Sequence, residues 1–251
     1  MNNPVGIQPC SFPGQRWYYK GANMAGVKQE VFAVTSAYVN AYIVRGERSI
    51  IVDTGAPGFG ARILKTMGRH DIKPQDVSLI IITHGHHDHT GGAAYLREKT
   101  GAPVAIHRND AEALRTGINP PLCPVGGKGR FMATLATMIR TRAQVMEPQL
   151  LLEGEMDLSA YGIEGKIIPT PGHTAGSVSV LLAGGCVLVG DMIFGMLVRK
   201  HAPGFPYFCQ DTEMASKSIR DILDRKPKIF YAGHGGPFTG GQVWRKFFVK
   251  P

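Results

Sequence analysis

The sequence predicts a mixed α/β fold of the α+β kind, two strand-rich halves packed sheet against sheet with helices outside. Three observations predict it. Short apolar, β-branched runs recur at 49–52, 77–82, 104–107, 167–168, 178–182, 187–189 and 229–231, as buried strands require. Segments with apolar residues at helical spacing alternate with them. Each half ends in glycine-flanked turns rich in histidine and aspartate. Two sheets packed face to face under outer helices bury both faces of such strands. Periodicity alone stops at α/β or α+β.

Residues 1–30 are punctuated by Pro and Gly and carry Trp17, Tyr18 and Tyr19; they read as an irregular lead-in. Residues 31–44 are β-rich, with Asn40 near a turn. The strand 49–52 ends at Asp53-Thr54-Gly55. Phe59, Ile63, Leu64 and Met67 recur with helical spacing, and Gly68 reads as the cap. The strand 77–82 feeds Thr83-His84-Gly85-His86-His87-Asp88-His89-Thr90-Gly91-Gly92. This stretch reads as a loop, because a continuing strand would send His84 and His89 to opposite faces. A helix follows from Ala93 and ends at Gly101. Residues 104–107 read as a strand and 110–114 as a helix.

The character changes over 117–149. Asn119-Pro120-Pro121 and Val125-Gly126-Gly127 are loop, and Phe131, Leu135, Met138 and Ile139 form one apolar helical stripe. Two readings stand: a lid inserted over a site, or a core helix with an irregular approach. A second β-rich half begins near Leu150. Ala215, Ile219, Ile222 and Leu223 mark another amphipathic helix before Pro227, and the strand 229–231 delivers His234. No linker-like segment divides the chain, so residues 1–251 are expected to form a single domain with the insertion at about 117–149.

The formal charge of +9 bears on partners through its distribution. Between Glu112 and Glu147 there is no acid, but there are Arg115, Lys128, Arg130, Arg140 and Arg142; Arg199 and Lys200 lie in a second acid-free stretch. Such segments are either solvated surface or a field that draws an anionic substrate. The four cysteines, Cys10, Cys123, Cys186 and Cys209, are scattered without a CxxC pair, which points to reduced thiols. The N-terminus lacks a signal pattern and no run approaches transmembrane length. A cytoplasmic protein is expected, with a small-molecule substrate and neither nucleic acid nor membrane as partner. The oligomeric state is open, a homodimer being admissible.

His84, His86, Asp88 and His89 fall within six positions, and imidazole with carboxylate suits borderline-soft divalent ions, zinc above all. As they stand they resemble the HxHxDH signature of the metallo-β-lactamase-fold hydrolases. Thr170-Pro171-Gly172-His173-Thr174, Val189-Gly190-Asp191 and Ala232-Gly233-His234-Gly235 follow in that family's order. The resemblance covers about Asp53 to His234 and implies a four-layer αββα sandwich. It implies that His84, His86 and His173 hold a first ion and Asp88, His89 and His234 a second, with Asp191 bridging. The implied cofactor is two Zn2+, with iron or manganese as alternatives. A bridging hydroxide would attack a small ester, thioester or lactone, and Asp88 would orient it and pass its proton on. Asp53 is either a support for the metal loop or a turn residue.

Departures from related patterns narrow this reading. His86 replaces the glutamate of the di-iron oxygen reductases. Asp191 is a bridging carboxylate that zinc β-lactamases lack, and the residues after His234 are too few for the glutathione-binding domain of glyoxalase II. The lactonases carry a tyrosine three residues after the bridging aspartate, where this chain has Phe194, which cannot donate a hydrogen bond. Tyr207 is a substitute donor, and Arg140 and Arg142 are candidate contacts to an anionic substrate. The alternatives are a mononuclear iron sulfur dioxygenase, a β-lactamase-like amide hydrolase and a non-catalytic binding protein on the same scaffold.

Overall fold

A computed structural model of the chain describes residues 7–8, 18–20, 29–36, 38–137, 143–196 and 199–249. The first sheet holds eight strands in sequence order: β1 (Ile7–Gln8), β2 (Tyr18–Lys20), β3 (Glu30–Thr35), β4 (Asn40–Arg45), β5 (Ser49–Val52), β6 (Val77–Ile81), β7 (Val104–His107) and β8 (Leu150–Leu152). From β1 to β5 neighbours are antiparallel; from β5 to β8 they are parallel. Helices α1 (Gly60–Arg69), α2 (His87–Thr90), α3 (Ala93–Thr100), α4 (Ala111–Thr116) and α5 (Gly126–Thr137) lie between these strands in the chain. The second sheet uses β9 (Met156–Asp157), β10 (Gly165–Pro169), β11 (Val178–Leu182) and β12 (Cys186–Leu188). A ribbon of β13 (Phe194–Met196) and β14 (Arg199–Gly204) stands apart. Helix α6 (Thr212–Asp224) precedes β15 (Ile229–Tyr231) and β16 (Phe238–Thr239), which complete that sheet in the order β16-β15-β12-β11-β10-β9. Helix α7 (Gly240–Phe248) ends the described chain.

Alternation along the strands decides the layering. Ile50 and Val52 of β5 and Leu79 and Ile81 of β6 face the second sheet, where Ile167, Val180 and Leu188 meet them. The intervening Ile51 and Ile80 turn outward onto Ile63 and Met67 of α1 and Leu96 of α3. Across the molecule Val187 and Phe230 turn outward onto Ile219 and Ile222 of α6 and Val243 of α7. Residues apolar on both faces therefore place three apolar layers between four layers of elements. This is the αββα sandwich.

Three local expectations change. The lead-in contributes two short strands. Asn40 stands next to a turn, as expected: it opens β4 directly after a turn closed by Ser36, whose Oγ accepts from the Val39 amide at 3.0 Å. Gly68 lies inside α1, which runs on to Arg69. In the stripe over 117–149, Phe131 is 65% and Leu135 40% exposed, so α5 is not a core helix; Met138 and Ile139 lie outside the described residues. Among the described residues no helix is long and apolar enough to cross a membrane.

Candidate metal centre

Four of the five histidines of the centre are aimed by a partner on the outer nitrogen; His86 instead turns Nδ1 inward, and its Nε2 is buried without a partner. The stretch after β6 is an extended turn through His86 followed by the single helical turn α2, rather than loop throughout. The turn presents His84 and His86, and α2 then swings Asp88 and His89 toward the same point. Behind them, the Thr83 hydroxyl donates to Asp53 Oδ2 at 2.8 Å and faces His84 Nδ1 at 3.1 Å. Asp53 Oδ2 also lies 2.8 Å from His89 Nδ1. His173 Nδ1 lies 2.7 Å from the Phe208 carbonyl and His234 Nδ1 2.5 Å from the Tyr38 carbonyl. Occupied Nδ1 atoms leave the Nε2 lone pairs of His84, His89, His173 and His234 directed inward.

The inward atoms form two corners. At the first, His86 Nδ1 lies 3.1 Å from His84 Nε2 and 3.0 Å from His173 Nε2. Tetrahedral ligands at about 2.0–2.1 Å from an ion are about 3.3 Å apart, close to this spacing. At the second, Asp88 Oδ2 lies 3.3 Å from His234 Nε2 and 4.0 Å from His89 Nε2. Asp191 stands between the corners. Its Oδ2 is 3.8 Å from His173 Nε2, 3.9 Å from His84 Nε2 and 3.2 Å from His234 Nε2, and its Oδ1 is 3.3 Å from His89 Nε2. All seven side chains foreseen as ligands converge here, in groups whose donor atoms lie within 4.8 Å of one another.

Electrostatics separates the corners. Burial, reinforced by neighbouring imidazoles, holds His84 well below the ordinary histidine range and pushes His86 down to about 3. Burial also lowers His173, although Asp191 pulls the other way. These three are neutral donors. Burial opposes charge on His89 and His234 as well, but Asp191 and Asp88 outweigh it. His89 stands well above its usual value and His234 is raised to about 10. The same imidazoles overcome burial at Asp88 and Asp191 and hold both carboxyls below the usual range.

The donor set fits bound divalent metal. His89 Nε2 and Asp191 Oδ1 are buried without a hydrogen bond, a costly arrangement that a cation between them relieves. A Cβ on Gly233 would sit 2.2 Å from Asp191 Oδ1 and 2.5 Å from His89 Cε1. Only glycine lets the backbone pass the centre that closely.

The centre floors a cavity of about 450 Å³ with a mainly apolar wall that includes Leu122, Met132, Leu135, Phe194, Tyr207 and Phe208. The Phe194 ring lies 4.5 Å from that of His234, and Tyr207 meets Phe194 edge-on at 5.2 Å. No Lys or Arg lines the cavity among the described residues. Arg115 is paired with Glu147 at 2.8 Å, which removes it from the expected positive field. Arg140 and Arg142 lie outside the described residues.

The sequence is matched from 34 to 234 by the model of the Metallo-beta-lactamase superfamily. The chain belongs to that superfamily. The chain is also similar to the probable metallo-hydrolase YflN of Bacillus subtilis (strain 168) and the probable metallo-hydrolase MJ0888 of Methanocaldococcus jannaschii. YflN is 27% identical over 226 residues, covering 84% of this chain and 85% of the relative. MJ0888 is 30% identical over 199 residues, covering 78% and 87%. The superfamily's fold is shared with the crystal structure of the B3 metallo-beta-lactamase BLEG-1. That structure has TM-score 0.62 and 20% identity over 92% of this chain and 98% of that one.

Several residues that shape the centre escaped the sequence reading. The carbonyls of Tyr38 and Phe208 have no side-chain signature. Asn40 Nδ2 donates to the Ala232 and Gly235 carbonyls at 3.0 and 2.9 Å, and the Tyr42 hydroxyl to Ala232 O at 2.6 Å; in the sequence Asn40 marks only a nearby turn and Tyr42 only a strand. His87, left without a role, has its Nε2 2.9 Å from the Gly117 carbonyl, and its backbone N–H donates to Asn119 Oδ1 at 2.8 Å. It ties the ligand stretch to the segment that leads into α5.

Proposed function

We propose that this chain is a metal-dependent hydrolase with a dinuclear centre, zinc foremost and iron or manganese as alternatives, that cleaves a small ester, thioester or lactone with an apolar acyl part. The observation that carries the reading is the pair of donor corners sharing Asp191 at the floor of an apolar cavity. When bound, the ions supply Lewis acidity and a water acidified enough to ionise near neutral pH.

The protein's own groups supply the rest. Asp88 has a partly exposed side chain at the cavity edge. Held ionised, its Oδ2 takes a proton from the attacking water and returns it to the departing oxygen or sulfur. Phe194 and Tyr207 pack against the acyl group, and the Tyr207 hydroxyl donates to the substrate carbonyl in place of the donor that Phe194 lacks. The segment 117–149, with α5, acts as a lid whose Met132 and Leu135 exclude water from the acyl group. Among the described residues Cys123 and Cys209 form no disulfide, which supports a cytoplasmic setting.

Metal analysis combined with a substrate panel tests the reading. Purified protein is expected to hold close to two ions per chain. It should turn over acyl esters, thioesters or lactones faster than a β-lactam. A single tightly held iron that activity cannot do without would overturn it in favour of oxygen chemistry at one ion.

A further inference from the structure

Asp110 is a buried carboxylate at the start of α4, and it accepts three hydrogen bonds from two separate loops. Its Oδ2 receives the Gly85 backbone N–H at 2.8 Å and the Thr174 hydroxyl at 2.7 Å, and its Oδ1 receives the Gly176 N–H at 3.2 Å. Gly85 sits between His84 and His86; Thr174 follows His173. Among the described residues no Lys, Arg or His nitrogen lies within ion-pair distance of it. A charge without a counter-ion is costly to bury unless dipoles satisfy it, and here every dipole comes from a loop that carries a ligand. A Cβ at Gly176 would lie 2.6 Å from Asp110 Oδ1, so that loop closes directly onto the carboxylate.

We propose that Asp110 is the positioning residue of the three-imidazole corner. It staples the loop of His84 and His86 to the loop of His173 through Thr174, 64 residues away in sequence from Asp110, and thereby sets how tightly that corner holds its ion. The proposal rests on the metal-centre reading above. The role needs an acceptor with two oxygens. An asparagine would turn an N–H₂ group toward one of the three donors and leave it unpaired.

The test is a stepwise Co2+ titration of metal-free protein, followed by visible absorption and by competition with a chelator. In Asp110→Asn, affinity at the three-imidazole corner is expected to fall about 10–100-fold, the usual scale for a residue that orients ligands, with an altered cobalt spectrum. Thr174→Val, which removes one donor, should show a smaller loss in the same direction, and Thr174→Ser should restore wild-type binding. If Asp110→Asn does not fold, the Thr174 pair decides. Equal cobalt affinity and spectrum in wild type and variants overturns the proposal alone; wild-type protein that takes up no ion overturns both it and the reading on which it rests.

Discussion

Asp191 is the residue on which both corners depend. Its two oxygens face ligands of each corner at 3.2–3.9 Å, so it separates and neutralises whatever cations sit there. In the two-ion reading proposed above, removing it would leave two like charges close together with only imidazoles on one side. Asp191→Ala is therefore expected to lose at least one ion per chain and more than about 100-fold in turnover, since ligand loss exceeds the usual effect of an outer-shell change. Metal content together with kcat checks this, and two retained ions at near-normal rate would remove Asp191 from the bridging role. At this scale much was legible. Side chains that donate to metals are few in kind, and their clustering in glycine-flanked turns is written in the sequence. The parts left unread are of two sorts: carbonyls such as those of Tyr38 and Phe208, which any residue could supply, and Asp110, which reads as an ordinary helix-start residue until the two loops meet on it.

The elements divide into those that hold the centre and those that wall the cavity. Strands β5, β6, β11 and β12 are buried on both faces, and their unbroken apolar runs show that burial in the sequence without showing which residue faces which layer. Their register was not legible, because it depends on partners distant in sequence. Helix α2 was also missed. Its four residues are the ligand motif itself, and histidine and aspartate carry weak helix propensity. Helix α5 differs in kind. Its apolar stripe suits a core helix, yet Phe131 and Leu135 are exposed, and Met132 and Leu135 line the cavity. Periodicity reports an apolar face but not what that face meets. If α5 contacts the acyl chain, a Met132→Ala, Leu135→Ala double variant should lose about tenfold in kcat/KM for an octanoyl ester relative to an acetyl ester, or ~1.4 kcal/mol of lost contact. An equal loss for both esters would show that the helix shapes the centre rather than the acyl site.

Over the whole molecule, the centre lies where the two halves join. The first half supplies His84, His86, Asp88 and His89, and the second supplies His173, Asp191 and His234. The halves are tied beside the centre by the Val178 N–H donating to Thr83 O at 2.8 Å and the Asn40 N–H to Gly233 O at 2.7 Å. The net charge of +9 acts at this scale too. No Lys or Arg lines the described cavity wall, so the basic side chains steer a substrate from a distance rather than gripping it. Such steering is screened: the Debye length shrinks from about 10 Å at 0.1 M salt to about 3 Å at 1 M. For two esters with the same apolar acyl chain, one carrying a carboxylate on the leaving group, the anionic one is expected to show the higher kcat/KM at low salt. That advantage should shrink several-fold between 0.05 and 0.5 M salt while kcat stays constant, because only the encounter rate is affected. An Arg140→Ala, Arg142→Ala variant should lose part of the advantage at low salt and none at high salt. Equal kcat/KM for the two esters at every salt concentration would show that the basic side chains are solvated away from the approach to the cavity.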